Sequence, residues 1–406
     1  MCAVKFQFLS VLFFGVLSIH TLISQSIGSL EFQQPFDNLE YNGRPNEAID
    51  PLNIVNHFPN DLHYNNVPDD LCAPYDPPLP DFRTPGRRIS ETKCFEYHWL
   101  LITEAEKALR QRTCRLGSIP EWSNKISRRQ APLYVDTRFD VNVDAAKRGE
   151  FPNMGAIGWK ALNGTWRFMC GSSLISSKFV LTAAHCSEAS KADLTFLADT
   201  KPKIVRLGRT MLDHNSKHNT PFDAKIINVI VHPNYKSPIQ YYDIALMELA
   251  QEVLFSEEIR PACLWNKNNM DTVVDKVKIT GWDEEPGSSE KSAKLLVADV
   301  DIIDSTTCKD LLAGSCNRNW CGLDNHQMCA GKLTGGVDTC RGDSGGPLQV
   351  KIPLLFTYPD MVRSMNYVIG VTAFGIRCGL PGLPGVYTRV DSFIDWIESI
   401  VWPDFK

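Results

Sequence analysis

The chain has 406 residues, 43% of them hydrophobic and 22% charged. That length is a prior for two or three compact units, and the apolar content can fill a core, which excludes a chain disordered throughout. A formal charge of −5 supplies no basic field and argues against nucleic acid as the main partner. Cysteine is the informative count: of 13, Cys2 lies in an apolar N-terminal stretch, and the other 12 read as six disulfides in a chain on the secretory route.

Lys5 precedes an apolar run from Phe6 to Ile23, and small residues follow at Ser24, Ser26 and Gly28. The pattern is that of a cleavable signal peptide over residues 1–26; the alternative, a membrane anchor, needs ~20 apolar residues. No later stretch is long and apolar enough to span a bilayer, so a secreted, extracellular protein that is not bound to a membrane is expected. Residues 31–90 carry ten prolines, which remove amide donors and fix φ, so this segment reads as extended loop. From Cys94 to Cys114, Trp99, Leu100, Ile102, Ala105 and Leu109, interleaved with Glu104, Glu106 and Lys107, suit a short amphipathic helix. The pairs Arg87-Arg88 and Arg128-Arg129 read as solvated loop residues, with a processing site as the alternative.

From about Phe151 the texture changes to short β-type runs, at 179–182, 203–207, 226–231, 273–280 and 367–372. Phe393, Trp396, Ile397 and Ile400 then fall at helical spacing, with Asp391 or Ser392 available as a cap. Many strands followed by one terminal helix predict an all-β barrel architecture. His214, His218 and His232 read as loop residues. Asn163-Gly164-Thr165 is an acceptable N-glycosylation triplet, which places Asn163 on the surface.

Three motifs occur in the order His, Asp, Ser. Thr182-Ala183-Ala184-His185-Cys186 ends an apolar run, Asp243-Ile244-Ala245-Leu246 heads another, and Gly342-Asp343-Ser344-Gly345-Gly346-Pro347 surrounds a serine with glycines. Singly, each has a bland explanation; together they supply what a hydroxyl nucleophile needs. Serine attacks poorly near neutral pH unless a base takes its proton, imidazole has a suitable pKa of ~6.5, and a carboxylate fixes its tautomer. The amides of Gly342 and Ser344 can converge on the developing oxyanion.

These motifs, with Gly281-Trp282, Met328-Cys329-Ala330-Gly331 and Pro384-Gly385-Val386-Tyr387-Thr388-Arg389, resemble the chymotrypsin-fold, trypsin-like serine proteases from about Phe151 to the C-terminus. Lys93-Cys94-Phe95-Glu96-Tyr97 is similar to the linker of arthropod snake-like clip-domain proteases. The resemblance implies two six-stranded antiparallel β-barrels with a C-terminal helix, His185, Asp243 and Ser344 as catalytic residues, and Gly342 and Ser344 as the oxyanion hole. It places Asp338 at the base of a pocket walled by Gly375 and Gly385, hence cleavage after Arg or Lys. It further implies the disulfides Cys170–Cys186, Cys308–Cys329 and Cys340–Cys378, and a tether between Cys94 and Cys263. Cys316 and Cys321, five apart, close a small loop of their own, and Cys72 is left to pair with Cys114. The clip domain of that group needs six cysteines, so the segment 27–138 is degenerate or lacks it altogether.

Two departures stand out. Ala373-Phe374-Gly375 replaces the family's Ser-Trp-Gly, and no Ile-Val-Gly-Gly terminus is present. Cleavage after Arg138 would expose Phe139, whose ammonium would bury against Asp343; an Asp140 terminus would carry its charge into that pocket. The expected organisation is signal peptide 1–26, pro-segment 27–138 and protease domain 139–406. Its expected partners are protein substrates with Arg or Lys at the cleavage site, an activating protease and protein inhibitors. The alternative is a catalytically silent homologue that binds partners through the same fold. No Cys-x-x-Cys occurs, and neither metal nor cofactor is expected.

Overall fold

The computed structural model describes residues 72–116, 143–212, 222–266, 277–283, 294–335, 343–354, 363–375 and 381–405. The signal peptide, Arg128-Arg129, Arg138, Phe139, His214, His218, Asp338, Cys340, Gly342 and Cys378 lie outside the described residues.

The apolar runs become strands that close into two antiparallel barrels. In the first, β2 (Met154–Lys160), β3 (Trp166–Leu174), β4 (Phe179–Thr182), β5 (Ile204–Leu207), β6 (Phe222–Val231) and β7 (Ala245–Leu249) are ordered β2-β3-β4-β7-β6-β5 and close through β5 on β2. Every residue of β4 and β5 is buried. That is why β4 reads as a continuous apolar run rather than an alternating one, while β5 carries the buried Arg206 within its row. The second barrel is built from β9 (Val277–Asp283), β10 (Lys294–Ile303), β11 (Gln327–Gly331), β12 (Pro347–Leu354), β13 (Arg363–Phe374) and β14 (Gly385–Arg389). Its order is β9-β10-β11-β14-β13-β12, closed by β12 on β9. Two short strands lie outside the rings: β1 (Asp144–Ala145) edges β10, and β8 (Cys263–Leu264) runs parallel to β13. The helix α2 (Ser305–Leu312) is capped by Asp304, whose side chain accepts from the amides of Thr306 and Thr307.

The terminal helix α3 (Ile394–Val401) buries Ile394, Ile397 and Val401 in the first barrel's core cluster. Neither Asp391 nor Ser392 caps it. Both lie at the 3₁₀ turn Asp391–Phe393, where Asp391 receives Arg389 and the Ser392 hydroxyl instead.

Ahead of the barrels, residues 72–88 run extended, with two turns and no strand. The helix α1 follows over Ile89–Leu116, 28 residues rather than a short element. At its start Glu91 reaches back to the Arg88 amide at 3.1 Å, the return half of a capping box whose N-cap side chain is here an arginine. Phe95, Trp99, Ile102, Ala105, Leu109 and Thr113 form a buried stripe, while Leu100 points outward at 40% exposure. The upper half of this stripe packs with Trp265, Ile279, Val350, Ile352 and Tyr367 in the second barrel's core cluster.

Covalent and polar links complete the docking. Cys94 is disulfide-bonded to Cys263 of β8, and Cys72 to Cys114, so the extended strap is closed onto its own helix. The remaining described disulfides are Cys170–Cys186, Cys308–Cys329 and Cys316–Cys321. Tyr97 donates to the carbonyl of Ile175, and Arg260 pairs with Glu104 at 2.7 Å. Arg87-Arg88, expected to be solvated, is docked. Arg88 pairs with Asp395 and Glu398 of α3, while Arg87 lies over the Phe95 ring at 4.4 Å and donates to the Phe82 carbonyl. Docked guanidinium groups of this kind are poor candidates for a processing site.

Candidate active site

His185 follows β4 in the 3₁₀ turn Ala184–Ser187. Ala183 and Ala184 are fully buried, and Cys186 is tied to Cys170 of β3. Asp243 stands just ahead of β7 and is 2% exposed. Its carboxylate takes two hydrogen bonds from one residue: the His185 amide to Oδ1 at 2.8 Å and His185 Nδ1 to Oδ2 at 2.7 Å. This grip fixes Nδ1 as the protonated nitrogen and leaves Nε2 free to act as an acceptor.

Burial pushes the His185 pKa down, but the charge of Asp243 and its hydrogen bond outweigh that and leave it raised above its ordinary 6.5. Tyr242, immediately before Asp243, adopts φ +57, a left-handed conformation that costs a non-glycine residue about 1–2 kcal/mol. The Ile244 amide then donates to the Tyr242 carbonyl at 2.8 Å, so Asp243 sits at the apex of a tight three-residue turn. From the second barrel, Thr388 of β14 donates its hydroxyl to the Asp243 backbone carbonyl at 2.9 Å.

Ser344 lies in the turn leading into β12, pinned from both barrels. Its carbonyl accepts from the Gly171 amide of β3 at 2.8 Å, and the Gly345 amide donates to Thr372 of β13 at 2.9 Å. The Cys186 sulfur lies 3.7 Å from the Ser344 carbonyl, so the residue beside the histidine touches the residue expected to be the nucleophile. Glycine is required at 345: φ is +75, and a Cβ there would come within 2.1 Å of Thr182 Oγ1. Asp343 is half-buried, its Oδ1 lying 1.6 Å from where a Cβ on Gly281 would stand.

The structure thus brings His185, Asp243 and the Ser344 turn together where the barrels meet. Gly385 heads β14 opposite Ala330, and Gly375 follows β13 in an exposed position. At the end of β13, Phe374 takes the edge of the buried Trp320, with centroids 5.4 Å apart. Asn163 is exposed in the turn between β2 and β3, its side chain accepting from the Thr165 amide and hydroxyl. Among the described residues, two groups have metal-ligand spacing, Cys94-His98-Cys263 and Cys170-His185-Cys186. In each, the two sulfurs are joined to one another, so neither offers a thiolate.

Sequence reasoning passed over how two histidines pack around Asp243. His232 lies in the loop after β6, as expected, with its ring stacked on Tyr242 and edged by Phe393 and Trp396. His326 covers the opposite face of Tyr242 with centroids 4.2 Å apart. The only local hint was the Tyr241-Tyr242 pair directly before the aspartate.

A trypsin family model matches residues 140–397. "Serine protease snk" of Drosophila melanogaster is 36% identical over 348 residues, covering 84% of this chain and 70% of that protein. "Serine protease Hayan" of the same species is 36% identical over 276 residues, covering 67% of this chain and 40% of that protein. The clotting factor G beta subunit of Tachypleus tridentatus is 34% identical over 242 residues, 58% of this chain and 72% of that protein. With a two-barrel fold and a histidine–aspartate pair beside a glycine-flanked serine at their junction, the chain belongs to the trypsin family and is a serine endopeptidase.

Proposed function

We propose that the chain is the secreted zymogen of an endopeptidase that cleaves after Arg or Lys in an extracellular proteolytic cascade. The observation that carries this reading is the two-point hold of His185 on Asp243 beside the pinned Ser344 turn. In it, Ser344 Oγ attacks the scissile carbonyl carbon as its proton passes to His185 Nε2, and the carbonyl π electrons move to oxygen. The imidazolium is stabilised by Asp243, and the Gly342 and Ser344 amides hold the oxyanion. Collapse breaks the C–N bond, His185 returns the proton to the leaving amine, and water repeats the sequence on the acyl-enzyme. Asp338 takes the substrate cation between walls that Gly375 and Gly385 leave open.

In this reading residues 1–26 are the signal peptide, 27–138 the pro-segment and 139–406 the protease domain. An activating protease cuts after Arg138, and the new Phe139 ammonium pairs with Asp343. The exposed, internally bonded Asn163 side chain suits a glycan acceptor. The name of the clotting-factor relative supports a cascade role, with protein inhibitors as further partners. The rival reading, a silent homologue acting as a binding protein, draws on Ala373-Phe374 and on Phe139-Asp140-Val141-Asn142 at the activation position.

Hydrolysis of an Arg p-nitroanilide by the proteolytically processed full chain tests the proposal. Turnover that disappears in Ser344→Ala, with Phe139 found by N-terminal sequencing, supports it. A processed chain that never turns over the amide favours the homologue, and a different N-terminus overturns the activation bond.

A further inference from the structure

Three consecutive residues of the first barrel lead into Asp243, and each is held by one stretch of the second barrel that follows α2 and ends on the first residue of β11. The Gln240 amide donates to the Asn319 carbonyl at 3.0 Å, and the Gln240 carbonyl accepts from Gln327 Nε2 at 2.8 Å. The Tyr241 hydroxyl accepts from the Cys321 amide at 3.0 Å and donates to the Gly322 carbonyl at 2.9 Å. The Tyr242 amide donates to His326 Nε2 at 3.0 Å.

The stretch is itself tied down. Cys316–Cys321 closes its tip, and Trp320, buried at 2% exposure, donates Nε1 to Gln327 Oε1. The Arg389 amide of β14 donates to the His326 carbonyl at 2.9 Å. Because Nε2 must present a lone pair to Tyr242, the proton of neutral His326 is on Nδ1, where Asp324 Oδ1 receives it at 3.0 Å. The ring is 7% exposed and lies flat on Tyr242, whose other face is covered by His232.

The left-handed Tyr242 and the tight turn at Asp243 are conformations that a free chain leaves readily, and they persist where the surroundings over-determine them. We propose that residues 316–327 are a positioning latch for Asp243, with His326 the positioning residue that acts through the Tyr242 amide. The inference rests on the reading that Asp243 orients His185. It adds that the second barrel holds this aspartate through a disulfide-closed insertion. His326 touches neither substrate nor His185; its role is to keep the carboxylate aimed.

The test compares the processed full chain with its His326→Ala, His326→Gln and Cys316→Ser/Cys321→Ser variants. Four quantities are read: kcat and KM on an Arg p-nitroanilide, the pH profile of kcat/KM, the thermal midpoint, and the low-field proton resonance of the His185–Asp243 hydrogen bond. His326→Ala is expected to lower kcat by about 10- to 100-fold with KM within about twofold, in line with the cost of an ångström-scale misplacement. Its acid limb should move to lower pH, since a misaimed Asp243 raises the His185 pKa less, and the low-field proton should weaken. His326→Gln, whose carboxamide oxygen can accept from Tyr242, should recover most of the loss, and the serine pair should show a smaller shift in the same direction.

An unchanged kcat, acid limb and low-field proton in a folded His326→Ala overturns the latch. So does a defect that tracks the thermal midpoint alone and is not relieved by Gln. A wild-type chain without turnover fails the functional reading instead; the proton resonance still decides whether His326 governs the His185–Asp243 pair.

Discussion

Ser90 donates both its backbone amide and its hydroxyl to Oε1 of Glu398, at 2.9 and 2.7 Å, joining the first turn of α1 to α3 across 308 residues of chain. With Arg88 on the same carboxylate and Cys94 bonded to Cys263, the segment before the barrels is fastened at several points. Cleavage anywhere in 117–142 should therefore leave residues 72–116 attached. Electrophoresis of the processed protein should show one species without reductant and two with it. Cys94→Ser/Cys263→Ser should destabilise by about 2–5 kcal/mol in denaturant titration while the noncovalent docking persists. Release of the segment under nonreducing conditions contradicts the tether.

As the proposed general base, His185 should set the acid limb of activity. Its pKa is raised, and the base is competent only when neutral, so kcat/KM should climb with pH through a midpoint above 6.5. The contribution to stability has the opposite sense: it is complete below 6.5 and is lost as pH rises through the folded-state pKa. Asp243→Asn removes the charge that raises this pKa and permits the wrong tautomer, with kcat expected to fall by about 10⁴-fold and the limb to move downward. A variant limb that stays above 6.5 would show that another group sets it.

Gly345 and Gly382 both have φ +75, but only Gly345 is crowded, for Gly382 has nothing within 4 Å of its Cβ position. Gly382→Ala should carry the backbone strain alone, about 1–2 kcal/mol. Gly345→Ala must also displace Thr182 Oγ1 and the Gly171 carbonyl, 2.1 and 2.8 Å away, and should cost at least about 2 kcal/mol more and disturb the Ser344 turn. Equal melting points for the two variants would refute the steric argument.

Arg206, fully buried, forks onto Asp223 with two bonds of 2.7 Å, donates to the Leu212 carbonyl and lies over the Phe168 ring. Arg206→Met strands the carboxylate and should destabilise by about 3 kcal/mol, whereas Arg206→Met/Asp223→Leu should recover much of that. Additive losses in this double-mutant cycle would mean that the pair is not coupled.

His98 is buried on α1, its Nδ1 bonded to the Cys94 carbonyl, its Nε2 without a partner, and its pKa pushed down by burial to about 4. The unfolded chain binds this proton first, so stability should be complete above pH 6.5 and decline as pH falls toward 4, by up to about 3 kcal/mol. His98→Phe should flatten that decline in denaturation curves at pH 4.5 and 7. A wild-type stability indifferent to pH over this range would count against a neutral buried ring.

Local pattern made much of the fold legible. An uninterrupted apolar run marked β4, whose side chains are buried throughout, and the period of Phe393, Ile397 and Ile400 marked α3. The residue types at 185, 243 and 344 suggested a hydroxyl nucleophile with its base, and the fold brings those three positions together. What the sequence could not disclose depends on partners remote along the chain. Arg87-Arg88 reads as a solvated pair until α3 supplies Glu398, 310 residues on. The Pro-rich stretch conceals where α1 begins, because its first turn is fastened by that same carboxylate. Asp391 has a capping side chain, but the nearby guanidinium of Arg389 takes it, a charged bond outcompeting a neutral one. His232 and His326 carry no helical or strand signature; the closure of two barrels stacks them on Tyr242 and so determines how Asp243 is held.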